Sequence, residues 1–252
     1  MSEIPAPIRL LPLAGIPAIE PGDDLAGLLV AAAERAGVAL EDGVLVVCQK
    51  VLSKAEGRLV ALADVEPSPE AKRIAEEDEK DPRHVQVVLD ESTRIVRRGH
   101  GVVICETKHG FVCANAGVDL SNSTGEDIAV LLPLDPDASA ARLRGEVLSS
   151  GGRNVAVIVT DTFGRPWREG LVDVAIGSAG IEPIRDARGS EDLAGRELVV
   201  TTLATADQLA AAAGMLMLKD SGIPAVWVTG ITPSGDGRVA DTLRDSQSDL
   251  FR

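Results

Sequence analysis

Two aspartates beside oxygen-bearing residues are candidates for binding a metal ion. Asp161 comes directly after the apolar run at 155–160 and is followed by Thr162. Asp119 precedes a polar segment that contains Ser121, Asn122, Ser123 and Thr124. Hard cations such as Mg²⁺ and Mn²⁺ prefer oxygen ligands, so each of the two aspartates is a candidate ligand of a divalent cation. The alternative is ordinary turn chemistry, in which an aspartate accepts hydrogen bonds from nearby backbone amides.

A second candidate feature is the basic segment that follows the apolar run at 43–48. Lys50, Lys54 and Arg58 are spaced at four, and the small residues Ser53 and Gly57 would let a ligand approach the backbone. Such a segment is suited to clamping a polyphosphate. The alternative is a surface hairpin whose lysines are simply solvated, and the segment alone does not decide between the two.

A third basic feature follows Asp161. Arg165 and Arg168 would neutralise phosphate or carboxylate oxygens through paired hydrogen bonds, which is the geometry that guanidinium groups favour. We therefore treat both arginines as candidate catalytic residues. The competing interpretation is structural, with Arg168 paired to its neighbour Glu169.

Periodicity and turn residues predict the elements that would position these side chains. A helix capped by Asp23 or Asp24 should end near Gly37. Strands and helices are intermixed without a regular alternation, which favours an α+β fold of mixed sheets with flanking helices over a doubly wound sheet. Residues 1–252 show no linker or repeat, so we expect one unit, with two intimately joined subdomains whose boundary is not visible. The remaining predicted strands are 43–48, 93–97, 102–105, 111–113, 154–160, 198–203 and 224–229, and the remaining helices are 69–80, 138–149 and 207–219.

Composition limits the classes of function. The net charge of −14 and an aromatic content of 2% disfavour a nucleic-acid partner. Three cysteines without a CxxC motif indicate free thiols. The N-terminus lacks the features of a signal peptide, and no apolar run approaches the roughly 20 residues needed to span a bilayer. We therefore expect a cytoplasmic protein without a membrane partner. Neither a P-loop nor a GxGxxG motif is present.

Taken together, several blocks resemble the coenzyme F420-0:γ-glutamyl ligase family. The similarity extends over essentially the whole chain, beginning with LPLAGIPAI near the N-terminus. It implies GTP-dependent amide-bond formation, in which the carboxylate of F420-0 is phosphorylated and the resulting acyl phosphate is attacked by the amine of L-glutamate. The other similar blocks are SKAEGRLV at 53–60, HGFVCANAGVDLSN at 109–122, VTDTFGRPWREG at 159–170, VAIGSAGI at 174–181 and DLFR at 249–252.

The resemblance also implies roles for individual residues. Asp119 and Asp161 match the family's first metal site and Thr162 matches a ligand of the second, so the resemblance implies two Mg²⁺ or Mn²⁺ ions, and K⁺ is the further cofactor to be tested. The family forms homodimers, and the same is expected here. The positions that match nucleotide-binding residues are Ile16, Pro17, Ala18, Ile19, Gln49, Lys54, Asn122, Lys219 and Asp220.

Departures from the family pattern leave two alternatives open. Ala187 and Ala194 stand where tyrosines are common, which allows a related ligase with a different carboxylate acceptor. Leu218 falls where a polar ligand of the second metal is expected and cannot coordinate one, so Asp220 or water would have to substitute. The second alternative is a nucleotide-binding protein without catalysis.

Overall fold

A computed structural model describes residues 6–121, 127–245, 247 and 249. The described helices are α1 (Leu25–Arg35), α2 (Gln49–Ala55), α3 (Pro69–Asp78), α4 (Pro82–Asp90), α5 (Pro136–Ser149) and α6 (Thr205–Gly214). The described strands are β1 (Arg9–Pro12), β2 (Glu41–Cys48), β3 (Leu59–Ala61), β4 (Ser92–Gly99), β5 (Val102–Thr107), β6 (Val112–Ala114), β7 (Asp119–Ser121), β8 (Ile128–Val130), β9 (Arg153–Arg165), β10 (Arg168–Ala179), β11 (Arg185–Asp186), β12 (Thr202–Leu203) and β13 (Ala225–Thr229).

The largest sheet has five strands in the order β1-β13-β2-β9-β10. Strands β2 and β9 run parallel, whereas the other neighbouring pairs in this sheet are antiparallel. Val44 to Val47 in β2 have no exposed surface, as expected for an apolar run that is covered on both faces. Helices α5 and α6 pack on β10 and α1 contacts α5. The predicted α+β fold with mixed sheets is confirmed.

Helix α1 begins and ends where the sequence predicts. The side chain of Asp24 accepts a hydrogen bond from the backbone N–H of Gly27 at 2.9 Å, which satisfies one of the free amides of the first turn. Gly37 follows the helix with a φ of +68°, a conformation that costs glycine little. The helix buries Leu25 and Leu29 against the main core.

A second hydrophobic cluster is built from the middle of the chain. Helices α3 and α4 pack with two three-stranded sheets, β3-β8-β7 and β4-β5-β6. The cluster includes Ile74, Val88 and Cys105, each of them buried. Strand β7 belongs to this part of the structure and begins at Asp119, so the second cluster determines where that carboxylate lies.

The charged segment after residue 66 forms two helices, where the sequence predicts one at 69–80. Helix α3 ends at Asp78, because Glu79 adopts a left-handed conformation. A separate helix, α4, begins after Asp81, which caps it by accepting a hydrogen bond from Arg83 N–H at 2.8 Å. Helix α3 also buries Ala71 and Ile74, so only part of its surface is solvated.

Two predictions in the last third of the chain are wrong in extent. The strand predicted at 198–203 is reduced to β12, and Val199 and Val200 are exposed. The helix predicted at 207–219 ends at Gly214, and residues 215–217 form turns whose backbone N–H groups donate hydrogen bonds to Ala212 and Ala213. None of the helices in the described part of the chain has the length and apolar character needed to cross a membrane.

Candidate functional site

A cleft of about 660 Å³ lies at one edge of the five-stranded sheet. The parallel pairing of β2 with β9 brings Cys48 beside Thr160, so the residues that follow both strands emerge together. Strand β13 is antiparallel to β2, and therefore the segment before it reaches the same edge. The segment after β1 arrives there too, since β1 pairs with the far side of β13. Four separate parts of the chain thus meet at one place.

Two carboxylates face this cleft from different parts of the fold. Asp161 extends from the end of the buried portion of β9, and Asp119 comes from β7 beside the second cluster. Burial, together with the negative charge of Asp119, raises the pKa of the Asp161 carboxyl to about 7. Lys50 opposes this effect and forms an ion pair with Asp119, with 3.0 Å between Nζ and Oδ2. The positive charge of Lys50 therefore offsets the negative charges of both Asp119 and Asp161.

Thr162 lies beside a third carboxylate, that of Asp173, which was not among the candidate residues selected from the sequence. Its Oγ1 donates a hydrogen bond to Asp173 Oδ1 at 2.6 Å. The two residues are direct partners across the β9–β10 pair. The charge of Asp173 also contributes to the raised pKa of Asp161. The sequence does contain a signal for a functional role of Asp173, because it is a charged residue inside the otherwise apolar strand LVDVAIG.

Helix α2 presents two lysines to the cleft. Lys50 and Lys54 are one helical turn apart, which places them on the same face. This helix replaces the surface hairpin that was the alternative for the segment. Arg58 instead donates hydrogen bonds to Leu132 O and Glu91, outside the cleft. The side chain of Gln49 is fully buried and accepts a hydrogen bond from Ser53. It therefore does not line the cleft, although the resemblance predicts that Gln49 contacts the nucleotide.

The other predicted nucleotide contacts divide into two groups. Ile16, Pro17, Ala18 and Ile19 line the cleft together with Lys219. Asp220 is exposed next to Lys219 but is not part of the lining. Asn122 lies outside the described residues.

The two candidate catalytic arginines lie at the far end of the β9–β10 hairpin. Arg165 and Arg168 are direct partners across the strands and both are exposed. Arg165 donates hydrogen bonds to the backbone oxygens of Glu169 and Gly170. Neither arginine lines the cleft, because β9 continues as a strand to residue 165 and carries them beyond Asp161.

The cysteines beside the site are not suited to nucleophilic chemistry. Burial raises the pKa of the Cys48 thiol to about 11. Burial, with a contribution from Asp161, raises that of Cys113 to about 12. Both thiols therefore stay protonated near neutral pH, and the three cysteines are free, as predicted from the sequence.

The oxygen atoms of the cleft fit a divalent cation that is shared with a phosphorylated ligand. Within the described residues, no three His, Cys, Asp or Glu side chains converge to form a complete metal site. Mg²⁺ usually binds one or two carboxylates and completes its coordination with water and substrate phosphates. Asp119 and Asp161 supply such a pair, and their mutual repulsion is a reason for a cation to bind there.

Sequence comparison identifies the family of ligases to which this chain belongs. The model of the F420-0:Gamma-glutamyl ligase family matches residues 15–230, and the chain belongs to that family. A protein of Methanothermobacter thermautotrophicus called "Coenzyme F420:L-glutamate ligase" is 46% identical over 97% of this chain and 99% of its own length. Proteins with the same name from Methanopyrus kandleri and Archaeoglobus fulgidus are 46% and 43% identical over 93% and 97% of this chain, and over 93% and 96% of their own lengths.

Proposed function

We propose that the protein joins L-glutamate to the terminal carboxylate of coenzyme F420-0 at the expense of GTP, and that it requires a divalent cation. The observation that carries this proposal is the meeting of Asp119, Asp161 and three lysines in one cleft. Family membership supplies the class of acceptor and donor. The charges of the cleft explain how an acidic protein accommodates a triphosphate, since local cations offset the surrounding negative field.

In the proposed reaction, the γ-phosphoryl group of GTP passes to the acceptor carboxylate, and glutamate then displaces phosphate from the acyl phosphate. Divalent cations, when bound, would neutralise the phosphate oxygens and the charge that develops during transfer. Asp119 and Asp161 would hold the first cation and Thr162 would help to hold the second. Whether K⁺ also binds stays a prediction without an assigned residue.

The remaining groups of the cleft would orient the nucleotide. Lys54 and Lys219 would donate hydrogen bonds to phosphate oxygens, and their positive charge would strengthen these bonds. The apolar segment 16–19 would pack against the nucleoside. Because carboxylates and phosphate oxygens are both negatively charged, Asp119 and Asp161 would contact the phosphates only through the metal.

The direct test is an assay with GTP, Mn²⁺, L-glutamate and F420-0. We expect glutamylated F420-0, GDP and phosphate to form in equal amounts. Asp161→Asn should lower kcat at least about a hundredfold, because the lost ligand acts where the transition-state charge develops. Glu34→Gln removes an exposed carboxylate on α1 and is the matched control. Full activity of Asp161→Asn would contradict the proposal.

A related ligase with another acceptor is the second candidate. It is supported by Leu218, which is exposed at the cleft where the family pattern has a polar metal ligand. Metal-dependent release of GDP without glutamylation of F420-0 would indicate that candidate. Binding of GTP without any turnover would instead indicate a non-catalytic nucleotide-binding protein. We also expect a homodimer and a cytoplasmic location.

A further inference from the structure

Strand β10 carries one charged side chain, Asp173, between residues 171 and 179. Asp173 and Thr162 are direct partners across the antiparallel pair of β9 and β10, so their side chains project from the same face of the sheet. Asp161 precedes Thr162 in the same strand and therefore projects from the opposite face. Thr162 and Asp173 line a cavity of about 420 Å³ that Asp161 does not line. Asp161 and Thr162 are thus suited to serve two different cations.

Both oxygens of the Asp173 carboxylate are in contact with other parts of the protein. Asp173 Oδ1 accepts the hydrogen bond from Thr162 Oγ1 at 2.6 Å, a length typical of a hydroxyl that donates to a carboxylate. Asp173 Oδ2 lies beside Gly214, because a Cβ atom on that glycine would overlap it. The carboxylate is therefore fixed between β9 and the end of α6, and it is better placed to orient Thr162 than to bind a cation itself.

The position of Asp173 is electrostatically unfavourable for the protein alone. Helix α6 ends at Gly214, and the C-terminal end of a helix carries a partial negative charge that disfavours a nearby carboxylate. Lys219 lines the same cavity, but no lysine or arginine in the described part of the chain forms an ion pair with Asp173. A half-buried carboxylate in such surroundings is stabilised when a cation binds close to it.

The hydrogen bond between Thr162 and Asp173 determines how the threonine hydroxyl can be used. A hydroxyl group has one proton and two lone pairs. When Thr162 donates its proton to Asp173, both lone pairs of Oγ1 stay available for a cation, and the carboxylate makes this oxygen a better ligand. Without an acceptor at residue 173, the hydroxyl is free to rotate and to direct its proton towards the position of the cation.

We propose that Asp173 is the positioning residue of the second cation. It fixes the hydroxyl of Thr162 with its lone pairs directed away from β10, and it supplies a negative charge that attracts the cation. This inference rests on the proposed function, in which Thr162 helps to hold the second of two cations. Leu218 borders the same cavity and has no atom that coordinates a metal, so the charge of Asp173 compensates for the polar ligand that is missing there.

The test is a titration with Mn²⁺ in the presence of a non-hydrolysable GTP analogue, with free Mn²⁺ measured by electron paramagnetic resonance. Wild type should bind two Mn²⁺ ions per chain. Asp173→Val should raise the dissociation constant of the second ion about tenfold or more and leave that of the first within about twofold. Asp173→Asn keeps an oxygen that accepts from Thr162 and should recover part of the affinity. Glu34→Gln changes an exposed carboxylate on α1 and should bind both ions as wild type does.

A double-mutant cycle shows whether Asp173 acts through Thr162. If it does, the variant that combines Thr162→Val with Asp173→Val should bind the second Mn²⁺ no more weakly than Thr162→Val alone. Thermal unfolding of the metal-free variants checks that each of them is folded. A purely structural role of Asp173 would change the melting temperature without changing the affinity for the second ion.

Several results would overturn the role of Asp173. One is normal binding of the second Mn²⁺ by Asp173→Val. Another is a further loss of affinity in the double variant, since Asp173 would then act independently of Thr162 as a ligand itself. Binding of a single Mn²⁺ by wild-type enzyme that glutamylates F420-0 would overturn this role and leave the proposed function intact. Failure to glutamylate F420-0, with the Mn²⁺ results as expected, would overturn the proposed function and support the role of Asp173.

Discussion

Asp161 occupies a position where burial and a neighbouring carboxylate both oppose its negative charge. Its pKa rises from an ordinary value of 3.8 to about 7. Between these values the native protein holds a proton that the unfolded chain has released. The free energy of unfolding of the metal-free protein should therefore fall as the pH rises from about 4 to about 7, and level off above that.

Replacing Asp161 with asparagine should remove this dependence. We expect metal-free Asp161→Asn to be more stable than wild type at pH 8, by about 2–4 kcal/mol, and to match it near pH 4. Urea unfolding at both pH values measures the difference. Asp220→Asn alters an exposed carboxylate nearby and is the control. Parallel pH curves for wild type and Asp161→Asn would contradict the prediction.

Lys50 competes with any cation for Asp119. Both side chains of this ion pair are about two-fifths exposed, so the pair itself adds little stability. Lys50→Met should lower the dissociation constant for Mn²⁺ about threefold to tenfold in the absence of nucleotide, because it removes a positive charge from the carboxylates. Electron paramagnetic resonance of free Mn²⁺ measures this constant.

Lys54 provides the comparison for Lys50. It lines the same cleft but is not in the ion pair with Asp119, so Lys54→Met should change the Mn²⁺ affinity less. If the two variants bind Mn²⁺ equally, or if Lys50→Met binds it more weakly, the proposed competition is wrong.

At the scale of the elements, the end of α6 is fixed by its contact with β10. A Cβ atom on Gly214 would lie 2.4 Å from Asp173 Oδ2 and 3.0 Å from Asp173 Cβ. Gly214→Ala must displace Asp173, which is held by Thr162. We expect the variant to lose about 1–3 kcal/mol of unfolding free energy and to weaken binding of the second cation.

Gly145 in α5 is the matched control, since a Cβ atom there meets no atom within 4 Å. Gly145→Ala should increase the unfolding free energy by about 0.5–1 kcal/mol, because alanine loses less backbone freedom in a helix. Urea unfolding of both variants is the measurement. A stabilised Gly214→Ala would show that Asp173 moves without cost.

Local signals account for the elements that were predicted correctly. The cap at Asp24 and the apolar run of β2 act through neighbouring residues, and the sequence displays such patterns directly. The length of β9 was underestimated, because its last residues gain stability from pairing with β10 and not from burial. Asp173 was missed for a similar reason, since its partner Thr162 is adjacent only across the strands.

At the scale of the whole molecule, the site depends on contacts that single segments do not reveal. Asp119 and Asp161 were selected from the sequence, and the structure brings them to one cleft. Gln49 and Arg165 were also selected, but their side chains are directed elsewhere by burial in one case and by the long hairpin in the other. Residue type indicated the chemistry, while tertiary packing decided which side chains share a cavity.

The expected homodimer is the remaining prediction at this scale. Trp167, Leu193 and Val200 are large apolar residues with more than three-quarters of their surface exposed, and a second copy of the chain would cover them. Sedimentation equilibrium should give twice the chain mass of 26.2 kDa. Trp167→Ser should shift the equilibrium towards monomer, whereas Glu34→Gln, which changes an exposed charged residue on α1, should not. A monomeric wild-type protein would contradict this prediction.

The parallel pairing of β2 with β9 has a consequence for how the protein folds. The paired residues are more than a hundred positions apart, so the ends of a long loop must close before Lys50 meets Asp161. Loop closure of this kind costs entropy and slows folding. A nascent chain that has reached α5 already contains Lys50 and Asp119 but not their partner. During refolding, affinity for Mn²⁺ should therefore appear only after β2 has paired with β9. Binding of Mn²⁺ can be used to follow this step.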